Sequence, residues 1–247
     1  MVKGLDTFRN HFAGYEEQYV LIGGAACDIV FESNDASFRA TRDLDMVLIV
    51  EALTPEFGEK LWEFIEIGRY RNKATNGQKP QLYRFDKPED DTYPKMIELF
   101  CRNDFELREM TGITPIHIDD SVSSLSAILL DDEYYKALMD GRVVRNGLSV
   151  LRPEYLILFK AKAYLDLKQR KDNGESVDSS DIKKQKDILR IAAELVLESI
   201  SELPATVKAD IDAFIGTLEQ EPFDSNSLKS YGLENDDVIG VLHRIFG

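Results

Sequence analysis

The 247-residue sequence predicts a mixed α/β (α+β) fold, a mixed sheet with flanking helices followed by a C-terminal helical domain. Three observations carry that prediction. Two short apolar runs, Tyr19 to Ile22 and Leu44 to Val50, have the length and composition of buried strands. Stretches with apolar residues three and four apart surround them, as amphipathic helices require. From Arg152, Pro153 and Glu154 onward the chain reads as helices without a convincing strand, so a boundary is placed near residue 151, giving domains 1–150 and 151–247.

Each element has its own signal. Leu5, Phe8, Phe12 and Tyr15 recur at helical spacing, which predicts an opening helix over Leu5 to Tyr15. The strand Tyr19 to Ile22 stops at Gly23 and Gly24, and helix formers resume from Ala25 to Phe31. Thr54, Pro55 and Glu56 form a helix start with proline at the first helical position, and Leu61, Trp62, Phe64 and Ile65 supply its buried face. The polar stretch Arg69 to Pro80 predicts a loop. Gln81 to Phe85 and Met96 to Phe100 are strand candidates separated by the acidic turn DKPEDD, and Thr114 to Ile118 is a third. Asn146 and Gly147, between Val143 and Leu148, mark a tight hairpin. In the helical half, Asn173 to Ser180 is a Ser/Asp-rich loop.

Composition narrows the functional classes. With 43% hydrophobic and 30% charged residues the chain is an ordinary globular protein. No segment approaches the roughly 20 apolar residues of a membrane span, and Met1 to Asp6 lacks a signal-peptide pattern. A cytoplasmic protein without a membrane partner is expected. Cys27 and Cys101 are far apart and outside any CxxC spacing, which argues against a disulfide framework and a thiolate metal site. His11, His117 and His243 form no cluster in the sequence. The net charge of −15 disfavours broad nonspecific nucleic-acid binding, which needs surplus Lys and Arg. That charge is uneven: residues 1–150 carry −10, residues 151–190 carry +3 and residues 191–247 carry −8. The one positive segment is where contacts to phosphate are expected.

Asp43 and Asp45 open an otherwise apolar strand, although acids are poor strand formers. Two apart on a strand, they project from the same face, and two carboxylates so close repel unless a cation lies between them. Magnesium suits such a pair, because it takes oxygen ligands from one or two carboxylates and a substrate's phosphates. Glu98, flanked by apolar residues within Met96 to Phe100, adds a third acid if its strand pairs beside the first. Gly23 and Gly24, between strand and helix, let the backbone approach a ligand closely, and the N–H groups opening the helix favour phosphate.

These residues resemble a known family. LIGG, followed after a spacer by TRDLDMVLIV and then by an acid within an apolar strand, is similar to the nucleotidyltransferase superfamily that includes DNA polymerase β. The form RATRDLD, with Arg39 and Thr41 ahead of the acids, resembles the AbiEii-type toxin branch of toxin–antitoxin and phage-defence systems. LFKAKAYLDL (Leu158 to Leu167) and DIKKQKDILR (Asp181 to Arg190) resemble the helical half of those proteins. Gly24 stands where the superfamily often has serine, and Gln185 where a histidine is expected after the paired lysines.

The resemblance implies transfer of a nucleoside monophosphate from an NTP, with Mg2+ or Mn2+ as cofactor. Asp43, Asp45 and Glu98 would be catalytic and metal-ligating, and Gly23, Gly24 and Thr41 would meet the nucleotide phosphates. Lys160 and Lys184 would act on the phosphates or the acceptor, with Asp187 orienting a lysine. It further implies a toxin, an RNA acceptor such as tRNA, and a cognate antitoxin as partner.

Plainer readings stand beside these. A Gly-Gly pair can be just a turn, and an Asp-x-Asp can be a solvated strand end. Lys160 can snorkel past Leu156, Ile157, Ala163, Tyr164 and Leu167, and Lys162 with Asp166 can be a surface ion pair, as can Lys184 with Asp187. Neither G-x-G-x-x-G after the strand nor G-x-x-x-x-G-K-[ST] anywhere is present, so other phosphate-binding folds are disfavoured. Two rival functions remain open: an aminoglycoside-type antibiotic nucleotidyltransferase, whose acidic surface would suit a cationic substrate, and a non-catalytic nucleotide-binding or interaction module.

Overall fold

Tyr19–Ile22 is buried at all four positions and becomes strand β1. In the computed structural model, which describes residues 2–34, 36, 38, 41, 43–72, 84–101, 128–129 and 131–247, β1 belongs to the first of two compact units. Along that unit run α1 (Leu5–His11), β1, α2 (Gly23–Glu32), β2 (Asp43–Leu48), α3 (Pro55–Ile67), β3 (Arg71–Asn72), β4 (Arg84–Asp86) and β5 (Met96–Cys101). After α4 (Asp132–Gly141), which clusters with the second unit, β6 (Arg142–Arg145) and β7 (Leu148–Leu151) return to the sheet.

The seven strands are ordered β3-β4-β5-β2-β1-β7-β6. β2 lies parallel to β5 and antiparallel to β1, while β7 lies parallel to β1, so the sheet is mixed. β6 and β7 form a hairpin whose two turn residues, Asn146 and Gly147, have φ of 51° and 73°. Two successive left-handed residues are what a tight hairpin turn needs, and Asn-Gly supplies them. α3 starts where proline and threonine predict: Thr54 Oγ1 accepts from Phe57 N at 3.3 Å, and Pro55 is the first helical residue.

One face of the sheet makes the core. Leu44, Met46 and Leu48 of β2, Ile97 and Leu99 of β5, and Phe85 of β4 join Phe8, Phe12, Phe57 and Phe64 in a single buried cluster. Rings pack edge-on and tilted, with Phe8 and Phe12 4.5 Å apart and Phe64 4.7 Å from Tyr93. The strand period of two therefore turns Asp43, Asp45, Met96, Glu98, Arg84 and Asp86 to the other face.

Several boundaries differ from the sequence expectation: the opening helix ends at His11 rather than Tyr15, and a helix begins at Ser179 within the expected Asn173 to Ser180 loop. The glycines are not a link ahead of a helix; they are its first turn, since α2 begins at Gly23. The stretch expected as a loop from Arg69 contains the two-residue strand β3, which pairs with Phe85 and Asp86 at the sheet edge. Arg39, the first residues of the Gln81 to Phe85 candidate and all of Thr114 to Ile118 lie outside the described residues.

The second unit is helical: α4, α5 (Pro153–Asp172), α6 (Ser179–Gln185), α7 (Asp187–Glu194), α8 (Ala205–Gln220), α9 (Ser225–Ser230) and α10 (Asn235–Phe246). α4 falls within the 1–150 span but packs here. Tyr134 sets its ring 5.5 Å from Phe159 of α5 and donates its hydroxyl to Asp210 Oδ2 of α8 at 3.0 Å. Tyr164, Phe214 and Phe223 form a second ring cluster between α5 and α8. Every residue from Pro153 to Ala161 is buried, so α5 is the unit's central helix. Among the described residues no helix is long and apolar enough to cross a membrane.

Candidate metal and phosphate site

Antiparallel pairing sets the C-terminal end of β1 against the opening of β2, with Ile22 opposite Asp45. The chain then turns at Gly23 with φ +64°, a conformation that costs a residue with a Cβ about 1–2 kcal/mol. Space gives a second reason for glycine. A Cβ on Gly23 would overlap Asp45 Oδ2 and stand 3.3 Å from its Cγ, and a Cβ on Gly24 would stand 2.9 Å from Thr41 Oγ1. Gly23, Gly24, Thr41 and Asp45 are thus brought together by β-pairing, although 18 residues separate Gly24 from Asp43 in sequence.

The parallel register of β2 and β5 places Asp45 directly opposite Glu98, and Asp43 opposite Met96. Adjacent strands are about 4.8 Å apart and opposed side chains share a face. Three carboxylates consequently share one patch of sheet, beside the backbone that opens α2. The next strand continues the row: Arg84 of β4 is opposite Glu98. Its Nε donates to Glu98 Oε1 at 2.5 Å, and Nη2 meets the same oxygen. Glu98 is 15% exposed and Arg84 53%. Asp86, two residues on, adds a fourth acid to this face, with a buried Oδ1 that has no hydrogen-bond partner.

The donor set fits a divalent cation. All its side-chain ligands are oxygens, and a Cβ at Gly23 would fill the space that the Asp45 carboxylate uses. The ligands are not preassembled: among the described residues, no group of three acid, cysteine or histidine side chains is already gathered for a metal. Glu98 is engaged by Arg84 instead. The sequence reading missed Arg84, although alternation places it on the same face as Asp86, beside the buried Phe85.

The other expected residues meet within the second unit. Lys160 and Asp187 form an ion pair, Nζ to Oδ2 at 3.1 Å, with side chains only 10% and 9% exposed. Lys160 Nζ also reaches the carbonyl of Lys184 at 3.5 Å. The Lys184 ammonium is exposed and bonds Asp181 Oδ1 at 2.9 Å, one turn back on its own helix.

Cations of the positive segment are largely partnered, several of them by the acidic C-terminal part. Arg152 meets Glu198, Lys162 meets Asp166 and Asp210, Lys168 meets Glu221, Lys186 meets Asp224, and Arg190 meets Glu194. The Asp224 carboxyl is held far below its usual range by Lys186, then by Ser227. Asp166 is pushed up by burial, against the pull of Lys162. The excess of positive charge over residues 151–190 is thus matched inside the unit by the acids of residues 191–247.

Comparison with protein-family models, with curated proteins and with solved structures returns no match.

Proposed function

We propose that the chain is a metal-dependent nucleotidyltransferase that moves a nucleoside monophosphate from an NTP to an acceptor. The observation that carries this reading is the cross-strand alignment of Asp45 with Glu98, with Gly23 packed without a side chain against the Asp45 carboxylate. Asp43, Asp45 and Glu98 would hold Mg2+ or Mn2+. When bound, the cation neutralises triphosphate charge and polarises the phosphate oxygens. Gly23, Gly24 and Thr41 receive the triphosphate, the glycines by leaving its oxygens room beside the helix N–H groups. Glu98 takes the acceptor's proton as the acceptor oxygen bonds to the α-phosphorus and the bond to the β-phosphate breaks, releasing pyrophosphate. Lys160, Lys184 and Asp187 are assigned to phosphate or acceptor binding by resemblance alone.

The resemblance supports a toxin in a toxin–antitoxin or phage-defence system, acting on an RNA such as tRNA in the cytoplasm, with a cognate antitoxin as partner. A second reading is favoured by the charge: a small cationic acceptor of the aminoglycoside class suits a chain of net charge −15 whose basic segment is internally paired.

The test is transfer from labelled NTPs to total tRNA and to aminoglycosides in parallel, wild type against Asp45→Asn, beside thermal melts in chelator. Transfer by the wild type alone is expected. Asp45→Asn is nearly isosteric, and the melts check that the variant is folded before its transfer is compared. A folded variant that still transfers would make Asp45 dispensable for the chemistry and end this reading.

A further inference from the structure

At the start of β1, away from the acid face, buried hydrogen-bond donors stand without acceptors. Leu21 is level with Val150 in the parallel β1–β7 pair, and Leu148 is opposite Arg145 in the hairpin, so Tyr19, Leu148 and Arg145 form one row across three strands. Tyr19 and Leu148 belong to the core cluster, and Val143, two residues before Arg145, packs against it, so the row lies on the face that α1 covers. Phe8 of α1 sets its ring 5.4 Å from that of Tyr19, and the Cγ and Cδ of Arg9 stand 3.6 Å from where a Cβ on Gly147 would be.

Three donors of this patch are orphans. Tyr19 is fully buried, and its hydroxyl, although near the Ser149 backbone, makes no hydrogen bond. The Nε of Arg9 and the Nε of Arg145 are buried and have no partner either. Among the described residues Arg145 forms no ion pair, whereas Arg142 on the same strand holds Glu17. A buried donor without an acceptor is costly, so native structures supply one from protein, water or a ligand. We infer that Arg9, Arg145 and Tyr19 form a binding site for a phosphate group beside the β6–β7 turn, separate from the metal site. A phosphate offers acceptors to all three, and two guanidinium groups match its oxygens in charge and geometry. The phosphate is a terminal one. A phosphodiester carries chain on two sides and cannot bring an oxygen down to a fully buried hydroxyl, whereas inorganic phosphate or the end phosphate of a polynucleotide can. Arg9, 31% exposed, and the half-buried Arg145 open the site to solvent. Two acids temper it: Asp6 holds Arg9 Nη1 at 2.7 Å, and Glu16, which accepts from Gly14 N at 3.0 Å, acts on the Tyr19 hydroxyl together with Arg9. Binding should therefore be modest and weaken with salt.

The experiment is isothermal titration calorimetry of the full chain in chelator with inorganic phosphate, against chloride at matched ionic strength. Wild type, Tyr19→Phe, Arg9→Gln, Arg145→Gln and Asp45→Asn are compared, each checked for folding by circular dichroism. A short oligoribonucleotide with and without a 5′-phosphate is titrated in parallel. Phosphate is expected to bind wild type and Asp45→Asn alike, about tenfold more weakly in Arg9→Gln and Arg145→Gln, and several fold more weakly in Tyr19→Phe. Binding of the oligonucleotide only when it carries the 5′-phosphate makes a polynucleotide end the source, and binding of inorganic phosphate alone makes it the free ion. Equal binding of the two oligonucleotides overturns the terminal phosphate. No heat beyond the chloride control, or phosphate binding that survives both Arg145→Gln and Tyr19→Phe, overturns the site, and because Asp45 takes no part in it, the metal-site reading is left standing.

Discussion

Replacing Gly23 by alanine separates what the backbone needs from what the site needs. At φ +64° an alanine carries about 1–2 kcal/mol of left-handed strain. For a chain of this size that strain lowers the melting temperature by about 2–4 °C per kcal/mol. The added methyl also meets the site: it would stand 3.3 Å from Asp45 Cγ and closer still to Oδ2. Restoring ordinary contact of roughly 3.5–4 Å moves the carboxylate by on the order of 1 Å. A displacement of that size in a reacting constellation can cost on the order of 10²-fold in rate.

Gly14 provides the control. It has φ +87° and nothing within 4 Å of a Cβ, so Gly14→Ala bears similar backbone strain with no steric intrusion. Both variants should melt lower by a similar amount, and only Gly23→Ala should lose NTP transfer, by about 10²-fold, along with Mn2+ affinity. The assays are calorimetry and labelled-NTP transfer on the two variants side by side. Transfer by Gly23→Ala within a few fold of Gly14→Ala would show that the close approach of Gly23 to Asp45 has no part in the chemistry.

Two further outcomes are expected in the folded framework. Lys160→Met takes the ammonium away from the buried Asp187 carboxylate and should cost more than about 1 kcal/mol in urea unfolding. A cost below about 1 kcal/mol would mean that the ammonium is not committed to Asp187 and is free for phosphate. The phenols of Tyr19 and Tyr134 are both pushed above their ordinary range, chiefly by burial. Below about pH 10 they are protonated whether the chain is folded or not; above it the unfolded chain releases the proton and the folded one keeps it, so stability falls as pH rises. Tyr134→Phe should flatten that fall by about 1.4 kcal/mol per pH unit in denaturant melts between about pH 10 and 12. An unchanged slope would place the Tyr134 ionisation at its ordinary value.

The parts of the fold that were legible in the sequence are those set by local rules. The continuous apolar runs marked β1 and β2, Thr54 and Pro55 marked the start of α3, and Asn146-Gly147 marked the β6–β7 turn, each because the signal and the structure lie within a few residues. Neighbouring relations were harder to read. That Glu98 stands beside Asp45 could be conjectured from its misfit among apolar residues, but that Arg84 stands beside Glu98 depends on a register across three strands. The boundary near residue 151 rests on the change of character at Arg152, which leaves α4 on the first side of it, whereas Tyr134 and Gly141 of α4 pack on Phe159 and Tyr155 of α5.

The charge of the helical unit shows the same limit in energetic terms. Counted along the chain, residues 151–190 are the one positive segment, and a phosphate partner is the natural inference. In space, Lys162, Lys168 and Lys186 are 26–28% exposed and already reach Asp210, Glu221 and Asp224 from later helices. A phosphate arriving there would have to replace carboxylates rather than find bare cations, and each exchange of one anion for another gains little beyond the second phosphate charge. Nucleotide affinity in this chain should therefore come mainly from the acid face through its cation and from the backbone at Gly23 and Gly24. Charge reversal at Lys168 should consequently change NTP binding by less than about twofold while Asp45→Asn abolishes it, a contrast that a filter-binding assay with labelled NTP and Mg2+ resolves directly.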